Sequence, residues 1–244
     1  MARLEYKYYM PNEYLDDLRY DIQPFLVPDI FMKDRPEKEY TVRSIYLDSF
    51  QLASYYEKLA GIKVRNKYRV RGYNRLTDDS IVFLEIKRKD ADYISKDRAP
   101  LYYSDLEKFL NTKDMSLIHS LKNDSLKRKQ HAGNFIYYYI LKNLKPYINV
   151  VYDREAYECK FGSGLRITFD KNIRTTPADS FDNLFEENSM VTSLKKYFVL
   201  EVKFNHIVPN WLPAVMKKYN VFRDSASKYV MSVDVRDNNR FVKN

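Results

Sequence analysis

The chain has 244 residues, 45% hydrophobic and 31% charged, and its 42 Lys and Arg outnumber 33 Asp and Glu for a formal net charge of +9. That length supports one large domain with its own core, and the basic balance favours anionic partners without choosing among phosphates, nucleic acid and acidic surfaces. One cysteine, Cys159, excludes an intrachain disulfide framework and a cysteine-built zinc site, and only 5 glycines among abundant aromatics exclude a disordered chain.

No apolar run approaches the ~18 residues of a spanning helix, and the N-terminal stretch 1–7 has no signal-peptide core. A soluble, cytoplasmic protein is expected. No repeat, linker or composition shift divides the sequence, so residues 1–244 are expected to form a single domain. His119, His131 and His206 show no ligand spacing and read as ordinary surface or helix residues.

In chain order, Arg3 to Met10 reads as a strand with Glu5 and Lys7 on one face and Leu4, Tyr6 and Tyr8 on the other. A helix from Asn12 to Gln23 ends at Pro24, and a polar loop spans Asp29 to Lys38. A second strand covers Tyr40 to Ser49, followed by a short helix near Phe50 to Leu59. Gly61 then turns the chain into a basic strand over 63–73, which Asn74 to Ser80 returns as a hairpin partner over 81–89. Ser104 and Glu107 have the spacing of a capping box, and helices are predicted at 114–129 and 131–144. The aromatic cluster Phe135 and Tyr137 to Tyr139 falls in the second of these and reads as helix packing. Three more strands, Tyr147 to Cys159, Leu165 to Asn172 and Lys196 to Asn205, precede helices near Pro209 and from Ser225 to Arg236.

The basic strand carries the strongest chemical signal. A two-residue period puts Lys63, Arg65, Lys67, Arg69 and Arg71 on one face and Val64, Asn66, Tyr68 and Val70 on the other. Same-face neighbours stand about 6.6–7 Å apart, and at an effective dielectric of about 20 each pair of cations repels by roughly 2–2.5 kcal/mol. Water offsets that on an open face; an enclosed face needs a polyanion. Lys63 and Arg65 lie nearer the start of the strand and read as solvated rim residues. An isolated strand of this kind is ordinarily half buried with its charges in water, but the pattern recurs. Glu85 and Lys87 oppose Val82, Leu84 and Ile86; Arg166, Thr168 and Asp170 oppose Leu165, Ile167 and Phe169; Glu201 and Lys203 oppose Leu200, Val202 and Phe204. The amphipathic helices would cover the apolar faces, leaving the charged faces to converge on a common lumen. The expected fold class is α+β: an antiparallel β-barrel with a charged lumen, covered outside by helices.

Cations there would bind phosphate oxygens, and the carboxylates at 5, 85 and 201 would add hard oxygen ligands for Mg²⁺ or Mn²⁺. No Gly-x-x-x-x-Gly-Lys or Gly-x-Gly-x-x-Gly loop is present to cradle phosphate with backbone amides, so side chains must do so.

In order along the chain stand Arg-Leu-Glu-Tyr-Lys-Tyr-Tyr (3–9), Arg-Ser-Ile-Tyr-Leu-Asp-Ser (43–49), Lys-Tyr-Arg-Val-Arg (67–71) and Leu-Glu-Ile-Lys-Arg-Lys (84–89). Tyr-Asp-Arg-Glu-Ala-Tyr (152–157), Leu-Arg-Ile-Thr-Phe-Asp (165–170), Leu-Glu-Val-Lys-Phe (200–204) and Ser-Lys-Tyr (227–229) follow. Together they resemble the triphosphate tunnel metalloenzymes, and within them the VTC-type polyphosphate polymerase domain. The resemblance implies a β-barrel tunnel that binds triphosphate or polyphosphate lengthwise. It assigns Lys7, Lys67, Arg69, Arg71, Lys87, Arg154, Arg166, Lys203 and Lys228 to phosphate, with Lys67, Arg69, Arg71 and Glu201 at the catalytic centre. Glu201 resembles the metal-binding glutamate for Mn²⁺ or Mg²⁺, with Glu5 and Glu85 as helpers. Many relatives begin Glu-x-Glu-x-Lys, whereas Arg3 stands here where the first Glu would be. That missing carboxylate favours the polymerase-like branch over a two-metal triphosphatase. Arg43 is left open as a lumenal residue or an outer salt-bridge partner, and Tyr46 and Tyr152 as phosphate donors or satisfied core tyrosines.

The expected function is transfer of the ATP γ-phosphoryl to a growing polyphosphate chain. The alternatives are an inorganic or nucleoside triphosphatase and a non-catalytic polyphosphate-binding module. Nucleic acid is not expected, because Tyr68 faces away from Arg69 and the charged faces also carry glutamates that would repel a phosphate backbone without metal. The reading leaves room for a membrane partner.

Overall fold

The structure, a computed structural model, describes residues 4–33, 35–90, 93–119, 124–205 and 207–237, so Arg3 and His206 lie outside it. The strands are β1 (Leu4–Pro11), β2 (Leu26–Pro28), β3 (Tyr40–Asp48), β4 (Val64–Tyr73), β5 (Ile81–Asp90), β6 (Tyr93–Tyr102), β7 (Lys145–Cys159), β8 (Arg166–Pro177), β9 (Val191–Thr192) and β10 (Tyr197–Phe204). The helices are α1 (Leu15–Ile22), α2 (Ala53–Leu59), α3 (Leu106–Thr112), α4 (Ser125–Leu141), α5 (Trp211–Lys218) and α6 (Lys228–Arg236). The fold class is α+β, with antiparallel strand pairing.

The chain forms two compact units. The first takes the described residues up to Thr41, Val151–Arg174, and those from Val191 onward. Its strands run in the order β1, β10, β8, β7, with β2 paired to β7 and β9 to β8. Alternation decides what each face buries. Leu165 just before β8, Ile167 and Phe169 of β8, and Phe198, Leu200, Val202 and Phe204 of β10 form one apolar core with Leu18 and Ile22 of α1 and Leu212 and Met216 of α5. Each such side chain contributes roughly 1.5–3 kcal/mol on full burial, which the charged face across the sheet cannot supply.

The second unit takes Val42–Val150 and Thr175–Met190, with strands in the order β3, β4, β5, β6. Ile45, Leu47, Tyr68, Val70, Val82, Leu84 and Ile86 face a core closed by Phe109 of α3 and Ala132, Phe135 and Ile136 of α4. Tyr138 and Tyr139 pack on that core and Tyr137 is exposed, so the aromatic cluster serves packing as expected.

Three local expectations are corrected. The two helices predicted over 114–144 are a 3-10 turn, Met115–Leu117, and the single helix α4. The Asp114 carboxylate accepts from the Ser116 amide and closes that turn, while no proline interrupts the chain from 125 to 141. The capping box does not form: residues 103–105 are a 3-10 turn, and α3 starts at Leu106 without a side-chain cap. Strand β6 lies where the sequence suggested no element. Among the described residues no helix is long and apolar enough to cross a membrane.

Candidate functional site

Each unit gathers charged side chains on the sheet face opposite its apolar core. In the second unit the register builds the cluster: Tyr46, Arg69, Glu85 and Arg98 form one rung across β3, β4, β5 and β6. Lys67, Lys87 and Lys96 form the next. Glu85 is 1% exposed and meets four cations. Arg69 Nε and Nη2 lie 2.7 and 2.6 Å from Oε2, Lys96 Nζ 2.5 Å from Oε1, Arg98 Nε 3.3 Å from Oε1 and Arg71 Nε 3.8 Å from Oε2. Burial pushes the Glu85 pKa up, but Arg69, Arg71, Lys96 and Arg98 together hold it well below the usual carboxylate range.

The surrounding groups fix the guanidinium planes. Arg69 Nη1 donates to the Tyr46 hydroxyl at 3.0 Å and Arg71 Nε to Ser44 Oγ at 3.2 Å. Arg98 donates to the Tyr73 hydroxyl and lies 3.5 Å over the Phe83 ring. Lys96 bears the electrostatic cost of this crowding. Burial first, then repulsion from Arg71, Arg69 and Arg98, pushes its pKa down to about 7 against the opposing pull of Glu85. Its side chain stays 37% exposed, so water screens part of that repulsion. Four cations around one carboxylate leave a strong excess of positive charge, which suits a polyanion.

In the first unit two Glu-x-Lys motifs run antiparallel, so Glu5 opposes Lys203 and Lys7 opposes Glu201. Lys203 Nζ lies 2.7 Å from Glu201 Oε1 and 3.9 Å from Glu5 Oε2, and Lys7 Nζ lies 2.9 Å from Glu5 Oε1. From β7, Arg154 makes a bidentate bond to Asp170 of β8 at 2.6 and 2.8 Å and reaches Glu201 Oε2 at 3.6 Å. Lys228, the first residue of α6, also pairs with Asp170. The Tyr152 ring lies beneath both cations, 5.2 Å from the Arg154 guanidinium and 4.8 Å from Lys228 Nζ. Burial raises the Glu201 pKa, but Lys203, Lys7, Arg154 and Lys228 reverse that and leave it well below the usual range. Asp170 is lowered in the same way, burial being outweighed by Arg154 and then Lys228. Both carboxylates are therefore ionised at neutral pH. Four cations here face three carboxylates, so this cluster is nearly balanced.

Glu5, Lys7, Arg154, Glu201, Lys203 and Lys228 thus stand together, as do Lys67, Arg69, Arg71, Glu85 and Lys87 in the other unit. Arg166 shares a face with Thr168 and Asp170, but its guanidinium goes to Asp29 at 2.6 Å and Glu158 at 3.6 Å, outside the Glu201 group. Arg43 is on the core side, bonded to the Asn74 carbonyl, paired with Glu187 and lying over Phe185, which makes it an outer salt-bridge residue. A divalent ion at Glu85 would face all four of its cations. Sequence reasoning missed Lys96, Arg98 and Asp170. The two-residue spacing of Lys96 and Arg98 was the available signal for β6, although Asp97 and Pro100 break the alternation around it, and the mixed charge of Arg166, Thr168 and Asp170 was the signal for Asp170.

Among the described residues no three carboxylate, histidine or cysteine side chains are grouped as a metal site. Two carboxylates, Glu5 and Glu201, converge on the same lysine. Such a pair fits a hard ion of the Mg²⁺ type, which takes one or two carboxylates and completes its shell with phosphate oxygens and water.

The fold has a counterpart among solved structures. A protein described as a candidate adenylate cyclase from Bacillus halodurans superposes with a TM-score of 0.50 at 9% identity, covering 93% of this chain and 96% of that one. The PH1819 protein of Pyrococcus horikoshii is aligned over 96% of this chain and 99% of its own at 14% identity and a TM-score of 0.45. The first likeness shows a shared fold. The chain belongs to the VTC domain family, whose model matches residues 2–236 and so spans both units. A curated relative, vacuolar transporter chaperone complex subunit 2 of Saccharomyces cerevisiae, is 27% identical over 157 residues, 58% of this chain. That match spans 19% of the length of the yeast protein.

Proposed function

We propose that the protein is a metal-dependent phosphotransferase that moves the γ-phosphoryl group of ATP onto a growing polyphosphate chain. The observation that carries this reading is Glu201, a buried carboxylate kept ionised by Lys7, Lys203 and Arg154, beside a second carboxylate at Glu5. Glu201 and Glu5 would hold Mn²⁺ or Mg²⁺, which when bound neutralises charge on the transferring phosphoryl oxygens. Lys7, Arg154, Lys203 and Lys228 would bind and orient phosphate in the first unit. Arg69, Arg71, Lys96 and Arg98, with Lys67 and Lys87 one rung on, would do so in the second. No side-chain nucleophile is required, since the terminal phosphate of the acceptor attacks the donor and positioning with charge stabilisation lowers the barrier. An ATP-dependent transfer of this kind would run in the cytoplasm. Membership of the VTC domain family and the cation excess around Glu85 support a polyphosphate ligand.

The test is purified protein with ATP and Mn²⁺, read for free phosphate and for polymer length on a gel. A ladder of phosphate chains, lost in a folded Glu201→Gln variant, is the expected result. Phosphate released without polymer would assign a triphosphatase, and an unaffected Glu201→Gln enzyme would remove Glu201 from the chemistry.

A further inference from the structure

One buried group at the Glu201 cluster has no role in the arrangement described above. Thr168, in the middle of β8, is 1% exposed, and its hydroxyl has no hydrogen-bond partner among the described residues. It is the register partner of Glu201, which on its other side pairs with Lys7, so Lys7, Glu201 and Thr168 form one rung. Directly opposed side chains on antiparallel strands have Cβ atoms about 4.5–5.5 Å apart, which puts the hydroxyl within reach of the carboxylate after a rotation about χ1. The packing needs only the β-branched shape, which valine would supply without burying an unmade hydrogen bond.

The partners of Glu201 are cations that a phosphate chain would also attract. Lys203 and Arg154 hold its two oxygens at 2.7 and 3.6 Å. The side chains of Lys7 and Lys203 keep partial exposure, 21% and 27%, so both are placed to turn toward an incoming anion. We infer that Thr168 is a positioning residue for Glu201 in the phosphate-bound state: as Lys7, Lys203 and Arg154 engage phosphate oxygens, the Thr168 hydroxyl donates to the freed Glu201 carboxylate and keeps it oriented. This rests on the phosphate-binding reading proposed above. The hydroxyl is thus held in reserve, without a partner until ligand arrives.

The experiment compares wild type, Thr168→Val and Thr168→Ser by thermal unfolding and by titration calorimetry with inorganic triphosphate and Mg²⁺. Without ligand, Thr168→Val should melt no lower than wild type, since it loses no hydrogen bond. It should bind triphosphate roughly 10- to 150-fold more weakly, the loss expected for one hydrogen bond to a charged acceptor. Thr168→Ser, which keeps the hydroxyl, should retain wild-type affinity. Unchanged affinity in Thr168→Val overturns the inference, and so does equal weakening in the Ser variant, which would trace the effect to the lost methyl. Wild-type protein that binds no triphosphate would overturn the phosphate-binding reading and the inference with it.

Discussion

Glu85→Gln keeps the shape of the side chain and removes its charge from the centre of four cations. In the native protein that carboxylate lies 2.5–3.8 Å from Arg69, Arg71, Lys96 and Arg98 and is 1% exposed. Removing one partner of a buried ion pair costs about 3–5 kcal/mol, because the other is left uncompensated. Here four are left, and the neutral amide cannot accept from all of them. For a chain of this length about 1 kcal/mol moves the midpoint by roughly 2–4 °C, so a fall of about 6–20 °C is expected. The same four cations give the variant an unusual remedy, since a polyanion can replace the lost charge by binding the folded state. Thermal unfolding of both proteins, with and without inorganic triphosphate, measures this. The variant should be destabilised without ligand and should gain more from triphosphate than wild type does. A loss under about 1 kcal/mol, or a loss that triphosphate does not reduce, would refute the view that Glu85 organises a phosphate-binding cation cluster.

Lys96, with a folded pKa of about 7 against about 10.4 in an unfolded chain, gives two opposite pH effects. Between those values the unfolded state binds more protons, so the ligand-free protein should become more stable as pH rises from about 7 toward 10. Triphosphate binding needs the ammonium and should weaken over the same range, by up to roughly tenfold per pH unit. Lys96→Arg, whose charge is fixed, should remove that weakening; identical pH profiles for the two proteins in calorimetric titrations would contradict the assignment. Asp170→Asn should cost about 3–5 kcal/mol in urea unfolding, because Arg154 and Lys228 lose their shared buried counter-ion, and a loss within 0.5 kcal/mol or so would show that neither depends on it.

Much of the fold is legible in the sequence because its strands alternate cleanly. Lys67, Arg69 and Arg71 against Tyr68 and Val70, and Glu201 and Lys203 against Leu200 and Val202, announce both the strands and which face carries charge. Strand β6 does not alternate in this way. Asp97, on the face that packs toward α4, is satisfied there by Arg88 at 2.7 Å and Asn134 at 2.8 Å, and Pro100 interrupts the pattern, so no clean period announces Lys96 and Arg98. Pairing preferences were hidden for a different reason. The guanidinium of Arg166 goes to Asp29, 137 positions away in the chain, and that of Arg43 to Glu187, 144 positions away. A local period cannot anticipate such partners. The role of Glu85 depends likewise on the register of three strands, since its Glu-x-Lys motif is the same as that of Glu5 and Glu201. Only the strands beside it, bearing Arg69, Arg71, Lys96 and Arg98 in place of a second Glu-x-Lys, make it an internal counter-ion.

The most direct measurement follows the phosphoryl group itself. Purified protein would be given ATP labelled in the γ-phosphate, a short polyphosphate acceptor and Mn²⁺, and the label would be located after a single incubation. The account predicts label in lengthened chains, in amounts equal to the ADP formed, and none in chains made by Glu201→Gln. Label found wholly as free phosphate, with the acceptor unchanged in length, would contradict phosphoryl transfer to polyphosphate.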